Sequence, residues 1–212
     1  RGDRSIKTLR VSRPESATQH PDLLIVFTKT MHTATALRGV EHLVGGNTHV
    51  LSLQNGLGNV ERIAELVDAD RILIGVTTWP ADMVGPGHVR SHGEGVIRMM
   101  SADGVVRPAL AECVEALQDA GLNCQADGNV WAAIWEKVAF NAALNSVCAV
   151  TRCTVDQLDL IAEGRELALQ VASEVMAVAQ AGGIHADAVK TCTNVANAIA
   201  KHRGHKPSML QD

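Results

Sequence analysis

The sequence predicts an α/β fold: part of a doubly wound parallel sheet, followed by an all-α helical domain. Apolar, strand-like runs alternate with short helical patterns up to about Thr78. From about Asn129 onward the pattern is wholly helical. Hydrophobic residues make up 46% of the 212-residue chain, drawn mostly from Ala, Val, Leu and Ile, while aromatics are only 2%. A boundary at about 127 separates an α/β part, 1–127, from a helical part, 128–212. There are no repeats and no low-complexity tracts.

Residues 4–12 are a short mixed stretch able to pair as a strand. Asp22-Leu-Leu-Ile-Val-Phe-Thr-Lys29 is a continuous apolar run, which reads as a parallel strand buried on both faces. Residues 31–44 carry Ala34, Leu37, Val40, Leu43 and Val44 near helical spacing. A strand over 49–54, a helix over 59–67 and a strand over 72–78 complete a right-handed α/β unit. Glycines 85, 87, 93 and 95 then separate short strand-like pieces, predicting antiparallel hairpins at the sheet edge. A helix over 105–120 ends at Gly121, and Leu122–Ala126 is a candidate last strand. One long helix follows over 129–150, with Asp127 or Asn129 as its cap. A helical turn at 154–160 and helices at 161–181 and 185–203 finish the chain, the first of the two closed by Gly182-Gly183.

Composition narrows the function. Nineteen basic against 23 acidic residues give a net charge of −4, which carries no electrostatic footprint for nucleic acid. Three Trp, two Phe and no Tyr argue against stacking platforms and aromatic-lined grooves. The five cysteines are scattered without a C-x-x-C pair, so they read as small buried hydrophobes rather than a disulfide framework or zinc site. No apolar stretch is long enough for a membrane span, and Arg1-Gly2-Asp3-Arg4 opens no signal peptide. These features place the chain in a reducing, cytoplasmic setting. The histidines do not cluster, and no H-E-x-x-H appears, so no metal is expected.

The strongest chemical signal is in the helix at 129–150. Lys137, Asn141 and Asn145 recur every four residues, within about 80° on one stripe. Val130, Trp131, Ile134, Trp135, Val138, Phe140, Leu144 and Val147 surround them, so the helix is apolar nearly all round and should be buried. An unpartnered buried amide costs about 1–3 kcal/mol, and an ammonium more. The stripe therefore either fixes helix register in a polar network, faces solvent, or lines a cleft in which Lys137 acts as an acid and the amides hold a polar ligand. Gln54-Asn55-Gly56-Leu57-Gly58-Asn59 lies between a strand and a helix, at the carboxyl end where open α/β sheets bind ligands. Its glycines suit either a tight turn or close backbone approach to a ligand. Lys29 ends its strand beside the same crevice, as a solvated end residue or a ligand contact. The segment Lys206-Pro-Ser-Met-Leu-Gln-Asp212 reads as a loop, with Ser208 able to cap the residues after it. A Rossmann-like domain usually opens with G-x-G-x-x-G. That turn is absent, so both ends of the natural protein are expected to lie outside this sequence.

Together these segments resemble the ketopantoate reductase family. The match is carried by Ile25-Val-Phe-Thr-Lys29, Gln54-Asn-Gly-Leu-Gly58, Glu136-Lys-Val-Ala-Phe-Asn-Ala-Ala-Leu-Asn145 and Lys206-Pro-Ser-Met-Leu-Gln-Asp212, with Gly85-Pro-Gly-His-Val and His92-Gly-Glu-Gly95 between them. The resemblance implies a Rossmann-like dinucleotide-binding domain and a helical domain for substrate and dimerisation. It implies NADPH-dependent reduction of 2-dehydropantoate, a small 2-oxo acid, to pantoate, in pantothenate (coenzyme A precursor) biosynthesis. It assigns Lys137 as the general acid, Asn141, Asn145 and Ser208 to substrate, and Lys29, Asn55 and Gly56 to the cofactor. It also implies a cytoplasmic homodimer with no nucleic-acid or membrane partner. The family's basic residue for the 2′-phosphate and the acidic residue beyond the S-M-L-Q-D segment are not in this sequence. Two alternatives are a related 2-hydroxyacid dehydrogenase acting on another 2-oxo acid, and a non-catalytic helical interaction remnant.

Overall fold

The structure, a computed structural model, describes residues 8–91 and 93–211. The chain first forms β1 (Leu23–Val26), α1 (Thr33–Val40), β2 (His49–Ser52), α2 (Asn59–Ile63) and β3 (Ile72–Thr77). A separate hairpin of β4 (Ala81–Gly85) and β5 (His88–Ser91) follows, then β6 (Ile97–Ser101), α3 (Pro108–Asp119) and β7 (Cys124–Ala126). The five-stranded sheet has the order β1-β2-β3-β6-β7, and among the described residues β4 pairs only with β5. β1, β2 and β3 are mutually parallel, β6 is antiparallel to β3, and β7 is parallel to β6.

Central position shows in burial. Ile72, Leu73, Ile74 and Val76 of β3 are all buried, as a strand covered on both faces requires. β1 behaves differently. It reads as doubly buried in sequence, yet Ile25 and Phe27 are 36% and 74% exposed. Among the described residues β1 pairs with β2 alone, so it is an edge strand. The predicted strand over 4–12 has no counterpart in residues 8–12, and residues 4–7 lie outside those described.

Several helices are shorter than the periodicity predicts. The stretch 31–44 divides into a 3₁₀ turn (Thr30–His32), α1 and a second 3₁₀ turn (Glu41–Leu43). The helix expected to reach 67 stops at Ile63, although Val67 is still buried. Buried apolar spacing there continues through a turn rather than a helix. α3 begins at Pro108, because a proline sits without penalty at N1 and Arg107 before it is extended. The glycine-rich region makes one hairpin off the main sheet rather than hairpins on its edge. β6 runs into the sheet interior, where Ile97, Met99 and Met100 are buried.

α4 (Val130–Asn141) passes through a π-helical turn (Ala142–Ser146) into α5 (Val147–Thr151). The expected long helix is therefore continuous but carries a π turn at Asn145, a feature common at functional sites. A 3₁₀ segment (Val155–Leu160), α6 (Gly164–Ala181), α7 (Ala188–Lys201) and α8 (Ser208–Gln211) complete the described chain. α4 joins two cores. Val130, Trp131 and Ile134 pack on the sheet with Leu51, Ile74 and Met99. From the π turn onward, Leu144, Val147 and Cys148 pack with Leu158, Ala172, Val195 and Ile199. All five cysteines are free. Cys113, Cys124 and Cys148 are buried as expected, whereas Cys153 and Cys192 are half-buried. Among the described residues, no helix is long and apolar enough to cross a membrane.

A candidate active site at the end of the third strand

Lys137 emerges from α4 against the carboxyl end of β3, and its Nζ donates to the Thr77 carbonyl oxygen at 2.7 Å. Strand lengths explain why that oxygen is available. β2 pairs with β3 only as far as Ile74, while β3 continues through Gly75, Val76 and Thr77. Thr78 N–H donates to Val96 O toward β6, so ladder alternation turns the Thr77 carbonyl to the opposite edge, past the end of β2. Burial pushes the Lys137 ammonium below its ordinary value. A cation held by one neutral acceptor in a partly dry setting is prepared to release its proton.

Lys137 lines a cavity of about 430 Å³. β3 and β6 supply Val76, Thr77 and Arg98, while Phe140 and Asn141 of α4 form the next part of the wall. Asn141 thus shares the cavity with Lys137, one helical turn further on. Arg98 is neutralised by Asp127, with which its Nε forms a close ion pair. The opposite wall is α7, through Lys190, Thr191 and Asn194. Sequence reasoning missed these α7 residues. The signal available was a polar face on a helix with apolar neighbours, which solvated helices also show. Asp187 caps α7, its Oδ1 accepting from Lys190 N at 2.8 Å. Glu136 ties that cap to α4: its Oε2 lies 3.3 Å from Lys190 Nζ, and its Oε1 accepts from Asp187 N at 3.3 Å.

Asn145 opens elsewhere. It lines a second cavity of about 560 Å³ with Leu144, Val155, Lys201, His202, Arg203 and His205. Phe140 borders both cavities. His202 and His205, which read as surface residues in sequence, are exposed but form part of this second wall. Ser208 is the exposed first residue of α8 and lines neither cavity, although its neighbour Pro207 is buried against the second. The backbone of Pro207, not the Ser208 hydroxyl, closes the start of α8, through its carbonyl to Leu210 N and Gln211 N.

The residues that the family resemblance assigns to the cofactor lie past the carboxyl ends of β1 and β2. Lys29 is exposed just past β1. Thr30 Oγ1, next in the chain, donates to Asn55 O at 2.9 Å and so ties the two loops together. Gln54 adds a second tie, donating through Nε2 to Thr28 O and to Thr33 Oγ1. Gly56 and Gly58 have φ of +90° and +80°, a conformation that side chains rarely adopt. Asn55 is exposed, and Gly56 borders a small gap against Trp131 and Ile134 of α4.

The family described as ketopantoate reductase PanE/ApbA matches residues 1–104, and its C-terminal counterpart matches residues 129–212. A 2-dehydropantoate 2-reductase of Streptococcus pyogenes is 34% identical over 204 residues, covering 96% of this chain and 66% of the relative. One from Archaeoglobus fulgidus is 33% identical over 207 residues, covering 98% of this chain and 67% of the relative. Among solved structures, D-mandelate dehydrogenase with NADH and anilino(oxo)acetate superposes with a TM-score of 0.85 at 27% identity, covering 94% of this chain and 65% of that one. The chain therefore spans about two thirds of the length of the relatives it matches. With its mostly parallel sheet, its following helical layer and these matches along nearly its whole length, the chain belongs to the ketopantoate reductase family.

Proposed function

We propose that this chain carries the reducing site of an NADPH-dependent 2-dehydropantoate 2-reductase, an oxidoreductase that turns a small 2-oxo acid into its 2-hydroxy acid. One observation carries the reading: a desolvated Lys137 ammonium, hydrogen-bonded to the Thr77 carbonyl, facing a cavity of about 430 Å³ that it shares with Asn141. In this reading, 1–127 is part of the dinucleotide-binding domain and 128–212 is the substrate and dimerisation domain.

The crevice beyond β1 and β2 fits the nicotinamide end of the cofactor, because Gly56 and Gly58 present bare backbone at the strand ends. Lys29, Asn55 and Gly56 would hold that end. When bound, NADPH supplies hydride to C2 of the 2-oxo acid. Lys137 gives its proton to the carbonyl oxygen as negative charge develops there, and so completes the hydroxyl. Loss of that proton is favoured because the neutral amine is easier to bury than the ammonium. Asn141 donates to the substrate beside Lys137. Asn145 holds its far end, which extends past Phe140 toward the second cavity; Ser208, beside Pro207 at that cavity, would have to turn inward to reach it.

The 0.85 TM-score to D-mandelate dehydrogenase favours one second reading, a related dehydrogenase acting on an aryl 2-oxo acid with NADH. Steady-state oxidation of NADPH and NADH, each with ketopantoate and with the 2-oxo acid of mandelate, separates the two. A kcat/KM led by ketopantoate with NADPH supports the reductase. No reduction of either acid overturns both. The long helices α6 and α7 support a homodimer, since Leu167, Val178 and Val189 leave apolar surface on them. Light scattering at the mass of a single chain would overturn that part.

A further inference from the structure

We propose that Thr77 and Thr78 are positioning residues that set where the Lys137 ammonium sits, with Thr78 acting through the last rung of the β3–β6 ladder. The inference rests on the proposed function of Lys137 and adds to it the device that aims the proton.

The rung is unusual. In an antiparallel pair, facing residues exchange two backbone hydrogen bonds. Thr78 N–H donates to Val96 O at 3.0 Å, which is half of such a pair. The other half is missing, because Val96 N–H donates instead to Thr78 Oγ1, at 3.0 Å. The threonine hydroxyl thus stands in for its own carbonyl and lets the backbone turn out of the sheet at this point. One residue earlier, Thr77 Oγ1 accepts from Trp79 N at 3.2 Å, which bends the chain between 77 and 79. The two hydroxyls therefore hold the peptide whose carbonyl oxygen receives Lys137 Nζ.

Packing leaves this peptide little freedom. A Cβ on Gly95 would lie 2.4 Å from Trp79 Cα and 2.5 Å from Trp79 N, so the strand leaving β3 is pressed against the one entering β6. Strand lengths free the Thr77 carbonyl, the threonine side chains orient it, and α4 brings Lys137 to it. Thr77, Thr78 and Lys137 all border the same cavity, so a shift of that carbonyl moves the ammonium relative to anything bound there.

The test compares Thr78→Val, which keeps the branched shape but loses the hydroxyl, with Thr78→Ser, which restores it. A fixed carbonyl favours the charged ammonium, so losing the fixation lowers the pH at which Lys137 gives up its proton. In Thr78→Val, competitive labelling of Lys137 with acetic anhydride, read by mass spectrometry across pH, is expected to titrate at lower pH than in the wild type. Its kcat is expected to fall roughly ten- to hundredfold with KM little changed, as for a misplaced reacting group. Thr78→Ser is expected to return both readouts. Thr77→Val removes only the Trp79 contact and is expected to move Lys137 in the same direction. Identical Lys137 titration in the wild type and both valine variants overturns the proposal, whether or not the protein reduces 2-oxo acids. Unchanged labelling behaviour and failed reduction are thus separate outcomes: the second alone removes the proposed reaction and leaves the positioning device in place.

Discussion

Lys137 Nζ lies 2.7 Å from the carbonyl oxygen of Thr77, a residue sixty positions earlier in the chain. This contact joins the helical layer to the carboxyl end of β3, and among the described residues no carboxylate forms an ion pair with that ammonium.

Replacing Lys137 should separate activity from stability. Lys137→Met is expected to lower kcat by roughly 10²–10⁴-fold, the range for a lost general acid. Methionine fills the same space without a desolvated charge, so the thermal midpoint at neutral pH should stay the same or rise. A variant that keeps near-wild-type kcat would make Lys137 a structural residue.

The pH dependence follows from the lowered Lys137 value. As an acid, Lys137 works only while protonated, so activity should fall as pH rises through that value, which lies below the ordinary lysine range. Stability moves the other way. The unfolded chain binds this proton more tightly than the folded one, so stability rises with pH between the lowered value and the ordinary one. A kcat–pH profile with no alkaline limb below the ordinary lysine range would contradict this assignment.

Asn141 and Asn145 should be separable, because they face different cavities. Asn141→Ala is expected to reduce kcat/KM for the oxo acid by the equivalent of about 1–3 kcal/mol, the cost of an unmade buried hydrogen bond. Asn145→Ala should act mainly on KM and depend on the length of the substrate tail. Equal effects of both variants on short and long 2-oxo acids would argue that the two cavities bind as one.

Gly75 tests the strand that presents Thr77. A Cβ there would meet Leu53 Cδ2 at 2.6 Å and the backbone oxygen of Arg98 at 2.7 Å. The side chain can yield, but the ladder carbonyl cannot without moving β6. Gly75→Ala is expected to destabilise the fold by about 1–3 kcal/mol, as overpacking does, and urea denaturation measures it. A midpoint unchanged from the wild type would mean that β6 can shift freely.

Much of this architecture was legible in the chain. Runs of Leu, Ile and Val mark β1 and β3, and the four-residue recurrence of Lys137, Asn141 and Asn145 marks α4 and its polar stripe, because periodicity is a local property of the backbone. The sequence also determined the order of strands and helices and the two glycines of positive φ after β2. It could not reveal that β6 enters the sheet antiparallel beside β3, since glycine-rich hairpin spacing does not encode which edge a strand joins. Nor could it show that Asn145 turns to a separate cavity, since nothing in its residue types announces the π turn at 142–146. The acceptor for Lys137 is a backbone carbonyl, which every residue carries, so no residue type marked Thr77. Only the packing of α4 across the end of β3, and of α7 against α4, decided which of these groups meet.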